Sequence, residues 1–147
     1  LSGRVVNRPL KTETKEFRIT CLSMGNPHCI TYHEDIQGVA VEKFGPLLEN
    51  HSVFPKRANI SFVNVMSKNE IHMRVWERGA GETLACGTGA VAAGCTLEHW
   101  DQATLPVTLC TRSGRALVVK AHRTASGVYD DVWLVGEAQM VFRGVLI

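Results

Sequence analysis

The stretch from Cys86 to His99 constrains this chain more than any other. Its pattern is helical, yet most of its residues are small: Gly87, Gly89, Ala90, Ala92, Ala93 and Gly94 leave almost no side chain around much of the helix. Helices in proteins owe most of their stability to packing. A helix this bare must lie close to other backbone. It is therefore expected to be a buried central helix wrapped by sheet.

The rest of the chain supplies that sheet. Alternation marks strands at 16–22, at 29–33, at 59–66 and at 70–78, where Ile71, Met73, Val75 and Glu77 share one face. Residues 66–70 fit a hairpin loop. Further strands are expected at 107–112, 115–121, 131–136 and 138–146. A second helix is expected within 36–50, broken or restarted at Gly45-Pro46 because proline lacks the helical N–H. Strands outnumber helices and hairpin-length links dominate. The fold class is therefore α+β, with a mixed or largely antiparallel sheet around a central helix.

The 147 residues have the size of about one domain. With 16 basic and 14 acidic residues the net charge is +2, which gives no reason to expect a nucleic-acid or membrane-surface partner. No apolar run reaches the roughly 18 residues of a membrane span. The five cysteines (Cys21, Cys29, Cys86, Cys95 and Cys110) are odd in number and form no C-x-x-C pair. They read as thiols of a reducing, cytoplasmic compartment. Cys21, His28, Cys29 and His33 fit no recognised zinc spacing, so no metal is expected.

The sharpest chemical feature is Ala85-Cys86-Gly87-Thr88-Gly89-Ala90, where a Gly-rich loop becomes the helix. The first N–H groups of a helix lack internal partners and carry partial positive charge. Those of Gly87, Thr88 and Gly89 can hold a carboxylate or phosphate. A thiolate at Cys86 would be stabilised there, with a pKa falling towards neutrality. The alternative is that Cys86 is simply a small buried residue. The run Gly87-Thr-Gly89-Ala-Val-Ala92 formally fits a dinucleotide fingerprint, but no acid follows in Leu109-Cys110-Thr111-Arg112.

Three more segments stand out. Met24-Gly25-Asn26-Pro27-His28-Cys29 offers Asn26 and His28 from a fixed turn, or is an ordinary turn with a capping Asn. Glu77-Arg78 ends a strand just before the Gly-rich loop, and is either a surface pair or a carboxylate-binding group brought near Cys86. Asn59 follows Phe54-Pro-Lys-Arg-Ala at a strand entry.

Together, in this order, these four segments resemble the diaminopimelate epimerases, which are cofactor-independent amino-acid epimerases. The carrying stretches are Met24-Gly-Asn-Pro-His28-Cys29, Phe54 to Val63, Arg74 to Thr83 and Ala85 to Ala90, and the resemblance runs nearly end to end. It implies inversion of a carbon beside a carboxylate by two cysteines, one on each face. Cys86 matches one of them. Gly87 and Thr88 match the backbone donors for the reacting carboxylate. His28 and Glu77 match groups that tune the cysteines. Asn26, Asn59 and Arg78 match the groups that grip the distal end of a diamino-dicarboxylate substrate. No cofactor is implied.

Val91, Ser113-Gly114-Arg115 and Gly136-Glu137-Ala138 depart from the family's usual residues without touching these roles. A larger departure is that only one Cys-Gly helix start is present, where the family has two lobes with one each. The resemblance thus implies a C-terminal catalytic lobe at 1–136 and a terminal strand at 137–147 that packs on a missing N-terminal lobe. A homodimer is compatible with it. The isolated chain is expected to be inactive. Two alternatives are the lobe of a related racemase acting on another amino acid, and a non-catalytic carboxylate-binding module.

Overall fold

The structure is a computed structural model that describes residues 5–145. In chain order the elements are β1 (Arg8–Lys11), β2 (Glu16–Ser23), β3 (Pro27–Tyr32), α1 (Val41–Glu49), β4 (Asn59–Ser67), β5 (Glu70–Glu77), β6 (Gly81–Thr83), α2 (Gly87–His99), β7 (Val107–Thr111), β8 (Ala116–Arg123) and β9 (Tyr129–Val135). The strands form one mixed sheet in the order β1-β2-β3-β4-β5-β7-β8-β9, with β6 paired to β5. β3 with β4 and β5 with β7 are parallel; the other pairs are antiparallel. The α+β class and the mixed sheet expected from the sequence are present.

α2 is the buried central helix. Every residue from Gly89 to Leu97 is buried, and the helix touches β2, β3, β4, β5, β7, β8 and β9. Its bareness has a direct use at Gly94. A Cβ there would come within 3.2 Å of Val107 and 3.3 Å of Val119, so the helix backbone lies against β7 and β8 where a side chain would hold it off.

Strand alternation divides the interior in two. Ile30, Val63, Ile71 and Met73 face α2, whereas Cys29, Ile60 and Phe62 turn to the other side, where α1 packs with Val41 and Leu48. This second core decides the shape of α1. The expected break at Gly45-Pro46 does not occur: the helix runs unbroken through both. Gly45 is buried, and a Cβ there would meet the Trp76 ring at 2.4 Å. The glycine is a seat for an indole rather than a helix breaker.

Two further expectations change. The loop after Arg78 closes into β6, with Glu77 opposite Gly81 and Val75 opposite Thr83. The strand expected at 138–146 is not formed over residues 138–145, where no strand among the described residues supplies ladder hydrogen bonds; residues 146–147 lie outside the described residues. Met140, Val141, Phe142 and Val145 are 79–89% exposed, and Val132 to Val135 of β9 are 41–60% exposed. Among the described residues no helix is long and apolar enough to cross a membrane.

Candidate active site

The site gathers at the N-terminus of α2. Alternation along β3, β4 and β5 places His28, Asn59, Ser61 and Glu77 on the α2 side of the sheet, and His28 pairs directly with Asn59 in the β3–β4 ladder. These side chains therefore project towards the end of the sheet at which the helix starts.

Cys86 is the N-cap of α2. Its backbone is extended, and its sulfur accepts from Gly89 N–H at 3.4 Å. The residue is buried, at 7% exposure. The Thr88 hydroxyl lies 3.7 Å from the sulfur. That hydroxyl also joins the Asn-Pro-His turn: His28 Nε2 is 3.1 Å away and Asn26 Nδ2 donates to it at 3.4 Å. His28 Nε2 lies 3.1 Å from Asn26 Oδ1 as well. His28 Nδ1 and Ser61 Oγ are buried with no hydrogen-bond partner among the described residues.

Glu77 is fixed from the neighbouring hairpin arm, where the Thr83 hydroxyl donates to its carboxylate at 2.6 Å. Asn59 is committed to the backbone on both sides. Its Nδ2 donates to Pro27 O at 3.2 Å, and its Oδ1 accepts from Arg78 N–H at 2.9 Å. It thereby locks the Asn26–His28 turn to the end of β5. The Arg78 guanidinium donates to Lys56 O at 2.9 Å and is exposed.

The electrostatics differ from the sequence expectation at Cys86. Burial pushes its thiol above the ordinary value. The Gly89 N–H and the Thr88 hydroxyl pull it down, but the Glu77 charge adds to the rise. The helix start does stabilise a thiolate here, yet dehydration outweighs it, so the resting group is a thiol. Burial also holds the His28 imidazole below its usual value, opposed by Glu77 and reinforced by Arg78. His28 is therefore neutral at pH 7.

All eight residues singled out from the sequence lie in this one connected region or in the loops tied to it. Three contributors were not foreseen. Thr83 holds Glu77, and the Glu77-to-Thr83 spacing around Gly79 and Gly81 was the available hairpin signal. Ser61 lies beneath Gly89. Glu49, at the end of α1, accepts from Gly79 N–H at 3.0 Å and from Trp76 Nε1 at 2.7 Å; nothing local marked it.

Fold and site together define a class: a mixed sheet around a central helix that presents an N-cap cysteine and free N–H groups to a polar cluster. The diaminopimelate epimerase family pattern matches residues 20–141. The chain is 55% identical over 148 residues to the diaminopimelate epimerase of Pelotomaculum thermopropionicum, covering 97% of this chain and 49% of that protein. It is 41% identical to the enzyme of that name from Moorella thermoacetica, covering 95% of this chain and 48% of that one. This chain belongs to the diaminopimelate epimerase family. It spans about half the length of the curated relatives it matches. The fold is shared with two solved PhzF-family phenazine biosynthesis proteins, each at TM-score 0.52. The one from Bacillus anthracis is 24% identical, covering 77% of this chain and 37% of that one. The one from Clostridium difficile is 18% identical, covering 74% and 40%.

Proposed function

We propose that this chain is the C-terminal half of a diaminopimelate epimerase and supplies one of its two catalytic cysteines, Cys86. The reaction is inversion of the α-carbon of LL-diaminopimelate to the meso form, in cytoplasmic lysine and peptidoglycan-precursor biosynthesis. The observation that carries this reading is the Cys86 N-cap, which sets a sulfur beside the unpaired N–H groups of Gly87 and Thr88. Those groups hold the substrate carboxylate. The α C–H bond breaks as its proton passes to one sulfur, and the electron pair spreads into the carboxylate that the helix start stabilises. The second cysteine, on the opposite face, returns a proton there. Cys86 rests as the thiol and is the donor in one direction; in the other, Glu77 and His28 adjust its proton. Asn26 and Arg78 face the distal end of the substrate, with Asn59 positioning both.

The second cysteine belongs to an N-terminal lobe. The exposed apolar residues of β9 and of 140–145 are suited to cover such a lobe, within one chain or across a homodimer. The chain by itself is then inactive. For that isolated chain, the raised Cys86 thiol favours a second reading, carboxylate binding without proton exchange.

A hybrid tests the proposal: this chain replaces the matching half of the Pelotomaculum thermopropionicum relative. In D2O the hybrid should incorporate deuterium at the α-carbon of diaminopimelate as it inverts, and Cys86→Ala should abolish the inversion. Epimerisation that survives Cys86→Ala overturns the cysteine's role. Exchange by the chain alone overturns the two-lobe reading. Exchange into another amino acid but not diaminopimelate transfers the proposal to the racemase alternative.

A further inference from the structure

We infer that Glu70, His72 and Cys110 form a binding site for a thiophilic divalent cation of the zinc class, on the sheet face opposite the Cys86 site. Glu70 and His72 alternate with Ile71 and Met73, which face α2, so both point to the other side of β5. Cys110 of β7 is the direct cross-strand partner of His72 in the parallel ladder, and shares its face. Glu77 lies on the α2 side. The two clusters therefore do not share a side of the strand.

Three donor atoms converge here, as many as a zinc site with one open position needs. A zinc ion bound through sulfur at about 2.3 Å, and through nitrogen and oxygen at about 2.0–2.2 Å, sets its ligand atoms about 3.4–3.6 Å apart. Here His72 Nε2 is 3.0 Å from Glu70 Oε1, and Cys110 Sγ is 3.9 Å from the same oxygen. All three donor atoms lie within 4.8 Å of one another. Side-chain shifts of up to about an ångström bring them to the separations of a zinc-bound set. Two sheet strands carry all three, so their spacing is fixed by the ladder rather than by a loop.

The surroundings admit a cation. Arg74 and Arg112, which line the cavity beside His72 and Cys110, are both bound to the nearly buried Glu82 carboxylate, at 2.7 and 2.8 Å. A cavity of about 510 Å³ opens beside His72 and Cys110. It leaves room for water or another ligand in the fourth position. A thiolate, an imidazole and a carboxylate select zinc, cobalt or a similar ion over magnesium or calcium, which take oxygen donors.

The test uses the chain reduced and freed of metal by a chelator. Co2+ is added as the optical probe and Zn2+ as competitor. The expected result is one cobalt per chain with a thiolate-to-cobalt charge-transfer band that Zn2+ bleaches. Cys110→Ser should remove the band. His72→Gln and Glu70→Gln should each weaken binding by at least the roughly 10–100-fold that losing a mere outer-shell partner costs. Circular dichroism checks that each variant is folded, and the half-exposed Glu70 gives the mildest of the three changes. Cys86→Ser should leave the band in place. Absence of a band in the unsubstituted chain overturns the proposal. So does a band that survives Cys110→Ser, or one that disappears with Cys86→Ser.

Discussion

The Thr83 hydroxyl donates to the Glu77 carboxylate at 2.6 Å, joining the last residue of β5 to the last residue of β6. Antiparallel pairing sets Thr83 opposite Val75, one diagonal step from Glu77, and so within reach of its carboxylate. A hydrogen bond to a charged group contributes about 1.5–3 kcal/mol. Thr83→Val should therefore loosen the carboxylate that faces Cys86. In the two-lobed hybrid, kcat should fall by roughly tenfold or more with little change in KM, and Thr83→Ser should restore it. A fall in stability with kcat unchanged would assign Thr83 to the hairpin alone.

Cys86 carries a pH prediction. Its thiol lies above the ordinary value of 9.0 because it is buried and because Glu77 opposes a second negative charge. Below pH 9 it holds less thiolate than a free cysteine does. Iodoacetamide should therefore react with it slowly at pH 7–8, with a rate that is still climbing past pH 9. Glu77→Gln removes the repulsion and should move that profile to lower pH. A profile centred near neutrality would show that the helix start outweighs burial after all.

The central helix was legible because its evidence is local: a run of glycine and alanine has one use, close approach to other backbone. The candidate site was marked by resemblance: its motifs occur in the family's order, and the β3–β4 register, which alternation alone does not give, brings His28 beside Asn59. What was not legible depends on distant partners. The sense of the Cys86 shift is set by burial, which its own motif does not disclose. The need for glycine at position 45 of α1 is set by Trp76 on β5. Residues 138–146 read as a strand in the sequence, but a strand exists only where another strand bonds it.

Gly45 makes the second of these points measurable. In an exposed helix interior, Gly→Ala is worth about 1 kcal/mol of added stability. Here the new methyl would stand 2.4 Å from the Trp76 ring. Overpacking of that kind costs about 1–3 kcal/mol. Gly45→Ala should lower the urea midpoint, and Gly45→Ala with Trp76→Leu should recover part of the loss. A stabilised Gly45→Ala protein would contradict the close packing of α1 on β5.

Glu49 couples the second core to the site. Its carboxylate is 6% exposed and accepts from Arg57 Nη1 at 3.0 Å, from Trp76 Nε1 at 2.7 Å and from Gly79 N–H at 3.0 Å. Glu49→Ala strips these donors of their acceptor and unties the turn that follows Arg78. The expected cost is about 2–4 kcal/mol, because buried donors left unpaired lose their hydration without return. Arg57 is half-exposed, so Arg57→Ala should cost less than about 1 kcal/mol. Glu49→Gln keeps one acceptor oxygen and should fall between them. Denaturant titration of the three variants orders the effects. If Arg57→Ala proves as damaging as Glu49→Ala, the ion pair rather than the Trp76 and Gly79 bonds is what Glu49 contributes.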